Sequence, residues 1–127
     1  MIKTDPIIAV KDVEQSSKWY QSIFACKSMH GGDRFDVLVT DTNEVLICLH
    51  KWGEHEHPTM VNQEIPAGNG LILYFRTHQL ESVYQNAKAN GAAFEEAIQV
   101  NPNTNKRAFS LRDPDGYYLI VTEYHEY

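Results

Sequence analysis

Twice along this chain the hydrophobic spacing switches from alternation to a helical period and back, and that double switch constrains the fold more than any single motif. Residues 5–10 form a short apolar run; after Asp12, the residues Val13, Ser16, Ser17, Tyr20, Ile23 and Phe24 fall on one face at helical spacing. Three short strands are expected next, over 27–30, 34–41 and 44–51, punctuated by Gly31-Gly32 and Asp41-Thr42-Asn43. The order then recurs. A strand over 71–76 precedes a helix marked by Leu80, Val83, Tyr84 and Ala87 that ends at Asn90-Gly91, and strands follow over 94–100, 106–112 and 117–124. Each half reads as a βαβββ unit, so the spacing predicts an α+β fold of two modules, about 1–51 and about 70–127, in one domain of 127 residues.

The halves align without gaps only in part. Asp12-Val13-Glu14 matches Gln79-Leu80-Glu81 at an offset of 67, whereas Val45-Leu46-Ile47-Cys48 matches Tyr118-Leu119-Ile120-Val121 at an offset of 73. Before the last strand stands Asp113-Pro114-Asp115-Gly116, a tight turn in which proline presets φ, Asp115 is placed to hydrogen-bond its local backbone, and Gly116 tolerates positive φ. Residues 52–69 carry no periodicity; a connection of that length is usually functional or disordered, and it is read as an inter-module loop and candidate lid.

Composition narrows the function classes. The net charge is −6, and the eleven Lys and Arg are scattered, which argues against a nucleic-acid partner. No apolar run approaches the roughly 18 residues that span a bilayer, and Met1 to Pro6 lacks the apolar stretch of a signal peptide, so a cytoplasmic protein with no membrane partner is expected. Cys26 and Cys48 have no metal-like spacing and read as reduced packing residues. Nucleophile-elbow, phosphate-loop and dinucleotide glycine patterns are absent, and no catalytic residue is assigned.

Paired βαβββ units, Val10-Lys11-Asp12 entering a helix with Trp19-Tyr20, and the Asp113–Gly116 turn together resemble the vicinal oxygen chelate superfamily of glyoxalases, bleomycin-resistance proteins and extradiol dioxygenases. The resemblance implies cupped mixed sheets around a cavity, helices on the outer face, and a homodimer. In the family's metalloenzymes the first strand of each module supplies a His or Gln and the last strand a Glu. Those positions fall here on Asp5, Ile72, Ile47 and Ile120. A hydrocarbon has no lone pair, so neither a metal nor another cofactor is expected. The expected function is metal-independent binding of a small organic molecule. The alternative is a lyase or isomerase of the glyoxalase or dioxygenase branch with an atypical metal site, for which His50, Glu123, His55 and His57 are the nearest donors.

Alternation along the strands groups Asp5, Ile7 and Ala9; Val45, Ile47 and Leu49; Ile72, Tyr74 and Arg76; and Tyr118, Ile120 and Thr122 on the cavity-facing sides. The candidate ligand-binding residues are therefore Asp5, Ile7, Ile47, Ile72, Tyr74, Arg76, Tyr118 and Ile120, joined by Arg107 and by Trp52 at the mouth. Such a lining suits an anionic molecule with a hydrophobic body. Arg76 is read either as a ligand clamp or as the ion-pair partner of an acidic neighbour such as Asp5, and Tyr74 and Tyr118 either as ligand contacts or as packing.

Overall fold

The structure, a computed structural model, describes residues 1–53 and 57–127. It contains two compact units, residues 1–67 and 68–127. In the first, strand β1 (Ile7–Val10) leads into helix α1 (Val13–Phe24), followed by β2 (Lys27–Ser28), β3 (Phe35–Val39) and β4 (Val45–Lys51). Helix α1 begins where the Asp12 carboxylate accepts the Gln15 amide, and stops at Ala25, which turns left-handed at φ 56°. The sheet order is β1-β4-β3-β2, with β1 parallel to β4 and the other pairs antiparallel.

Beneath α1, burial of Ile8, Val10, Leu38, Ile47 and Leu49 forms the apolar core, and one carboxylate sits among them. Asp36 accepts hydrogen bonds from the hydroxyls of Ser17 and Ser28, both 2.7 Å, and from the amides of Gly31 (2.7 Å) and Val37 (2.8 Å). Burial by itself raises the pKa of this group. The four donors outweigh that and hold the carboxyl below the usual range.

The second unit repeats the plan with β5 (Leu73–Thr77), α2 (Leu80–Ala89), β6 (Ala93–Asn101), β7 (Lys106–Arg112) and β8 (Tyr118–Glu123) in the order β5-β8-β7-β6. Its core under α2 is aromatic: Tyr84 packs against Phe109 at 5.0 Å and Phe94 at 5.3 Å between ring centroids. The predicted turn between β7 and β8 is present, with Gly116 at φ 90°. The Asp113 side chain ties it, accepting the amides of Asp115 (2.9 Å) and Tyr117 (2.8 Å). Among the described residues no helix is long and apolar enough to cross a membrane.

One expected register is corrected. Ile7 pairs with Cys48 as Tyr74 pairs with Ile120, so the last strands correspond at an offset of 72, not 73. Cys48 and His50 share the helix-free face with Ile7 and Ala9, whereas Ile47, at 0% exposure, and Leu49 lie under α1. Four consecutive residues of β4 are buried, so alternation carried no information about which face was which. By the same register His50 corresponds to Thr122, and not to Glu123, which occupies the opposite face of its sheet.

At the entry to the second unit, Gly68 adopts φ +75°, and a Cβ there would lie 2.8 Å from Cδ1 of the buried Tyr117 ring. Gly68→Ala should therefore lower unfolding free energy by about 1–3 kcal/mol, from left-handed strain plus overpacking. Urea unfolding measures it; a change below about 0.3 kcal/mol would show that the ring yields freely.

Candidate functional site

The helix-free face of the second sheet brings together four of the ten expected site residues, Tyr74, Arg76, Tyr118 and Ile120. Strand pairing sets Tyr74, Ile120, Ser110 and Glu96 in one row across the sheet, with Arg76, Thr122, Ala108 and Gln99 in the next. Rows of this kind follow from the pleat, since paired residues in register point to the same side. A cavity of about 240 Å³ opens at the β6 end, lined by Glu96, Gln99, Ala108, Ser110, Tyr118 and Ile120 among others. Val100 and Pro102 add apolar wall, and among the described residues no Lys or Arg lines it.

Ser110 is the feature of this cavity that sequence reasoning missed. It is 3% exposed, and its hydroxyl has no hydrogen-bond partner among the described residues. A buried polar atom left unsatisfied costs about 1–3 kcal/mol, so such groups mark sites where something else supplies the partner. The signal was available: once Asp113–Gly116 closes the β7–β8 hairpin, antiparallel pairing places Ser110 opposite Ile120. Beside it, Gln99 donates its amide to Glu96. Arg112, also missed, lies over the Tyr118 ring at 5.0 Å and bonds Glu95 and the Gly116 carbonyl, both at 2.9 Å.

Tyr74 and Arg76, on β5, stand beside this cavity and already have partners. Arg76 donates to the His125 carbonyl at 2.6 Å, and the Tyr74 hydroxyl shares a hydrogen bond with His125 Nε2 at 3.1 Å. Arg107 does not join them. Its guanidinium lies on the α2 side of the sheet, bonded to Glu81 (2.6 Å) and Glu123 (3.3 Å). The Glu123 carboxyl is held below its ordinary range, first by the Arg107 amide and then by that guanidinium. A larger hollow of about 380 Å³ adjoins this trio at the start of α2, and there Arg107 is already paired with both carboxylates.

Of the remaining candidates, Ile72 lies just before β5 and is 54% exposed. Asp5, Ile7, Ile47 and Trp52 belong to the first unit, where Trp52 follows β4 and donates its amide to the Val10 carbonyl at 3.2 Å. On that unit's helix-free face, the rings of Phe35, His50 and His57 form a chain of edge contacts at 6.0 and 5.1 Å. His55 lies outside the described residues.

The donor set does not fit a family-type metal. With the register corrected, the four positions are Asp5, Cys48, Ile72 and Ile120, and two of them offer no lone pair. Burial, then the negative charges of Asp5 and Asp36, raises the Cys48 thiol above its ordinary pKa, opposing the thiolate that a metal requires. Among the described residues no three His, Cys, Asp or Glu side chains gather closely enough to hold an ion.

Comparison with known proteins agrees with this architecture. A protein from the mobile metagenome of V. Pseudocholerae superposes with a TM-score of 0.72 at 22% identity, covering 99% of this chain and 97% of its own. TioX from Micromonospora sp. ML1 gives 0.73 at 15% identity, with coverage of 97% and 100%. The fosfomycin resistance protein FosX from Listeria monocytogenes gives 0.67 at 16%, with coverage of 98% and 96%. At these identities the likeness is one of fold. No curated protein sequence matches the chain. Residues 4–121 match the sequence pattern of one family throughout, and the chain belongs to the glyoxalase/bleomycin resistance protein/dioxygenase superfamily.

Proposed function

We propose that this protein binds a small organic molecule, without a metal, on the helix-free face of its second sheet. The observation that carries the reading is the buried, unpartnered Ser110 hydroxyl facing a cavity walled by Ile120, Tyr118 and Ala108. An apolar site with a few placed polar groups has the composition of a small-molecule pocket. Ser110 and Glu96 suit a guest that carries a hydroxyl or amine on an apolar body. Ile72, Tyr74 and Val100 remain exposed on this unit, and we assign that apolar surface to a homodimer contact or to the ligand.

A fluorescence titration with 2-naphthol, a flat apolar body with one hydroxyl, tests the site. Saturable binding at one site per chain is expected, weakened about fivefold by Ser110→Ala, the scale of one neutral hydrogen bond. The same substitution should leave the thermal midpoint unchanged or raise it, since it removes an unsatisfied buried hydroxyl. Absence of saturable binding, or binding indifferent to both Ser110→Ala and Ile120→Gln, would sink the reading.

A further inference from the structure

Arg76 and Tyr74 form a second feature on the same face, and what occupies it is the protein itself. Residues 124–127, which follow β8, fold back over β5. Arg76 lies over the rings of Tyr124 at 5.0 Å and Tyr127 at 4.9 Å, and Glu126 approaches its guanidinium at 3.8 Å. The His125 carbonyl takes its hydrogen bond at 2.6 Å, and the His125 ring meets Tyr74 edge-on while sharing the bond with its hydroxyl. Oxygen acceptor, carboxylate and aromatic faces thus converge on one arginine, which is the set of groups an aromatic oxyanion would present to it.

Resting on the binding function proposed above, we infer that the Arg76–Tyr74 corner is the oxyanion end of the ligand site, specific for aromatic carboxylates, and that residues 125–127 are its internal competitor. The geometry joins the two ends. Tyr74, Ile120 and Ser110 are successive partners on adjacent strands, so at about 4.8 Å per strand Tyr74 lies about 10 Å from Ser110, the length of a bicyclic carboxylate, with Ile120 between them. The segment can be displaced because beyond Tyr124, whose amide bonds the Thr77 carbonyl at 2.9 Å, it has left the strand ladder. Glu126 and Tyr127 are exposed, and among the described residues Glu126 is otherwise anchored only to the Tyr124 hydroxyl, at 2.6 Å. A ligand carboxylate offers Arg76 two oxygens in place of one carbonyl. The selectivity of the site is then set by a competition between that carboxylate and the segment.

Two probes separate this inference from the reading it rests on: 2-naphthol, which has no carboxylate, and 2-naphthoate, which has one on the same body. In the full chain carrying His125→Gly and Tyr127→Ala, 2-naphthoate should bind about five- to tenfold more tightly than in the unaltered protein, while 2-naphthol should be unchanged. Adding Arg76→Ala should abolish the gain. As a readout independent of affinity, 2-naphthoate but not 2-naphthol should shift the His125 ring proton resonances of the unaltered protein by NMR. If 2-naphthol binds but the double variant leaves 2-naphthoate binding equal or weaker, the competitor inference is overturned and the binding function stands. If neither probe binds any variant, both fall.

Discussion

Replacing Asp36 by alanine is expected to lower the unfolding free energy by about 3–5 kcal/mol, a large share of what a domain of this size holds. Two hydroxyls and two amides would lose their acceptor, that of Ser17 inside the sheet–helix layer. Among the described residues, the Ser17 hydroxyl would keep only the hydrogen bond it accepts from Gln21 at 2.8 Å. Asp36→Asn should do little better, because its NH2 group would face donors. The carboxylate also sets an acid dependence. Its folded-state pKa lies below the unfolded value, so its stabilisation is complete above that unfolded value, near about 3.9, and is lost as pH falls through the folded one. Urea midpoints measured between pH 7 and pH 3 should fall more steeply at the acid end for the unaltered protein than for Asp36→Asn. Parallel curves, or a loss below about 1 kcal/mol in Asp36→Ala, would remove the network from the account.

Phe109→Ala should be comparably severe in the second unit, about 3–5 kcal/mol, through lost transfer energy and the cavity left behind. Phe109 is 2% exposed and touches both Tyr84 and Phe94 under α2. Two small residues cannot collapse into the gap, since its neighbours along β7, Ala108 and Ser110, face the other way. The same substitution loosens the backbone from which Ser110 projects, so 2-naphthol binding should weaken along with stability, whereas Val100→Ala on the exposed rim should leave stability within about 0.5 kcal/mol. Equal urea midpoints for Phe109→Ala and Val100→Ala would contradict this packing.

The fold was legible because each element states its period openly. Helix α1 has one apolar face and an aspartate cap, and the Asp113–Gly116 turn fixes one hairpin. The faces of β1, β5 and β8 followed from the alternation of Ile7 with Ile8, Tyr74 with Phe75, and Ile120 with Val121. Strand β4 resisted, because it is covered on both faces and a strand without a polar side has no readable phase. Asp36 was hidden for another reason: its four partners are scattered in sequence, and only the folded layer gathers them. Arg76 was legible as a candidate, but residues 125–127 have no period by which a sequence announces that it will fold back. Arg107 was assigned to the wrong face because β7 had been given no register against its neighbour.

The outer strands of the two sheets carry a consequence for behaviour at high concentration. An unpaired strand edge is a template for further strands, and a chain with two sheets exposes several such edges to aggregation. Here β2 ends its sheet after only two residues, too few to nucleate a ladder. Strand β6 runs for nine residues at the edge of the other sheet, but its register shifts twice, between Phe94 and Glu96 and again between Glu96 and Gln99. Exposed Glu95 and Glu96 add negative charge at those irregularities. Amyloid-like stacking along the β2 and β6 edges is thereby disfavoured.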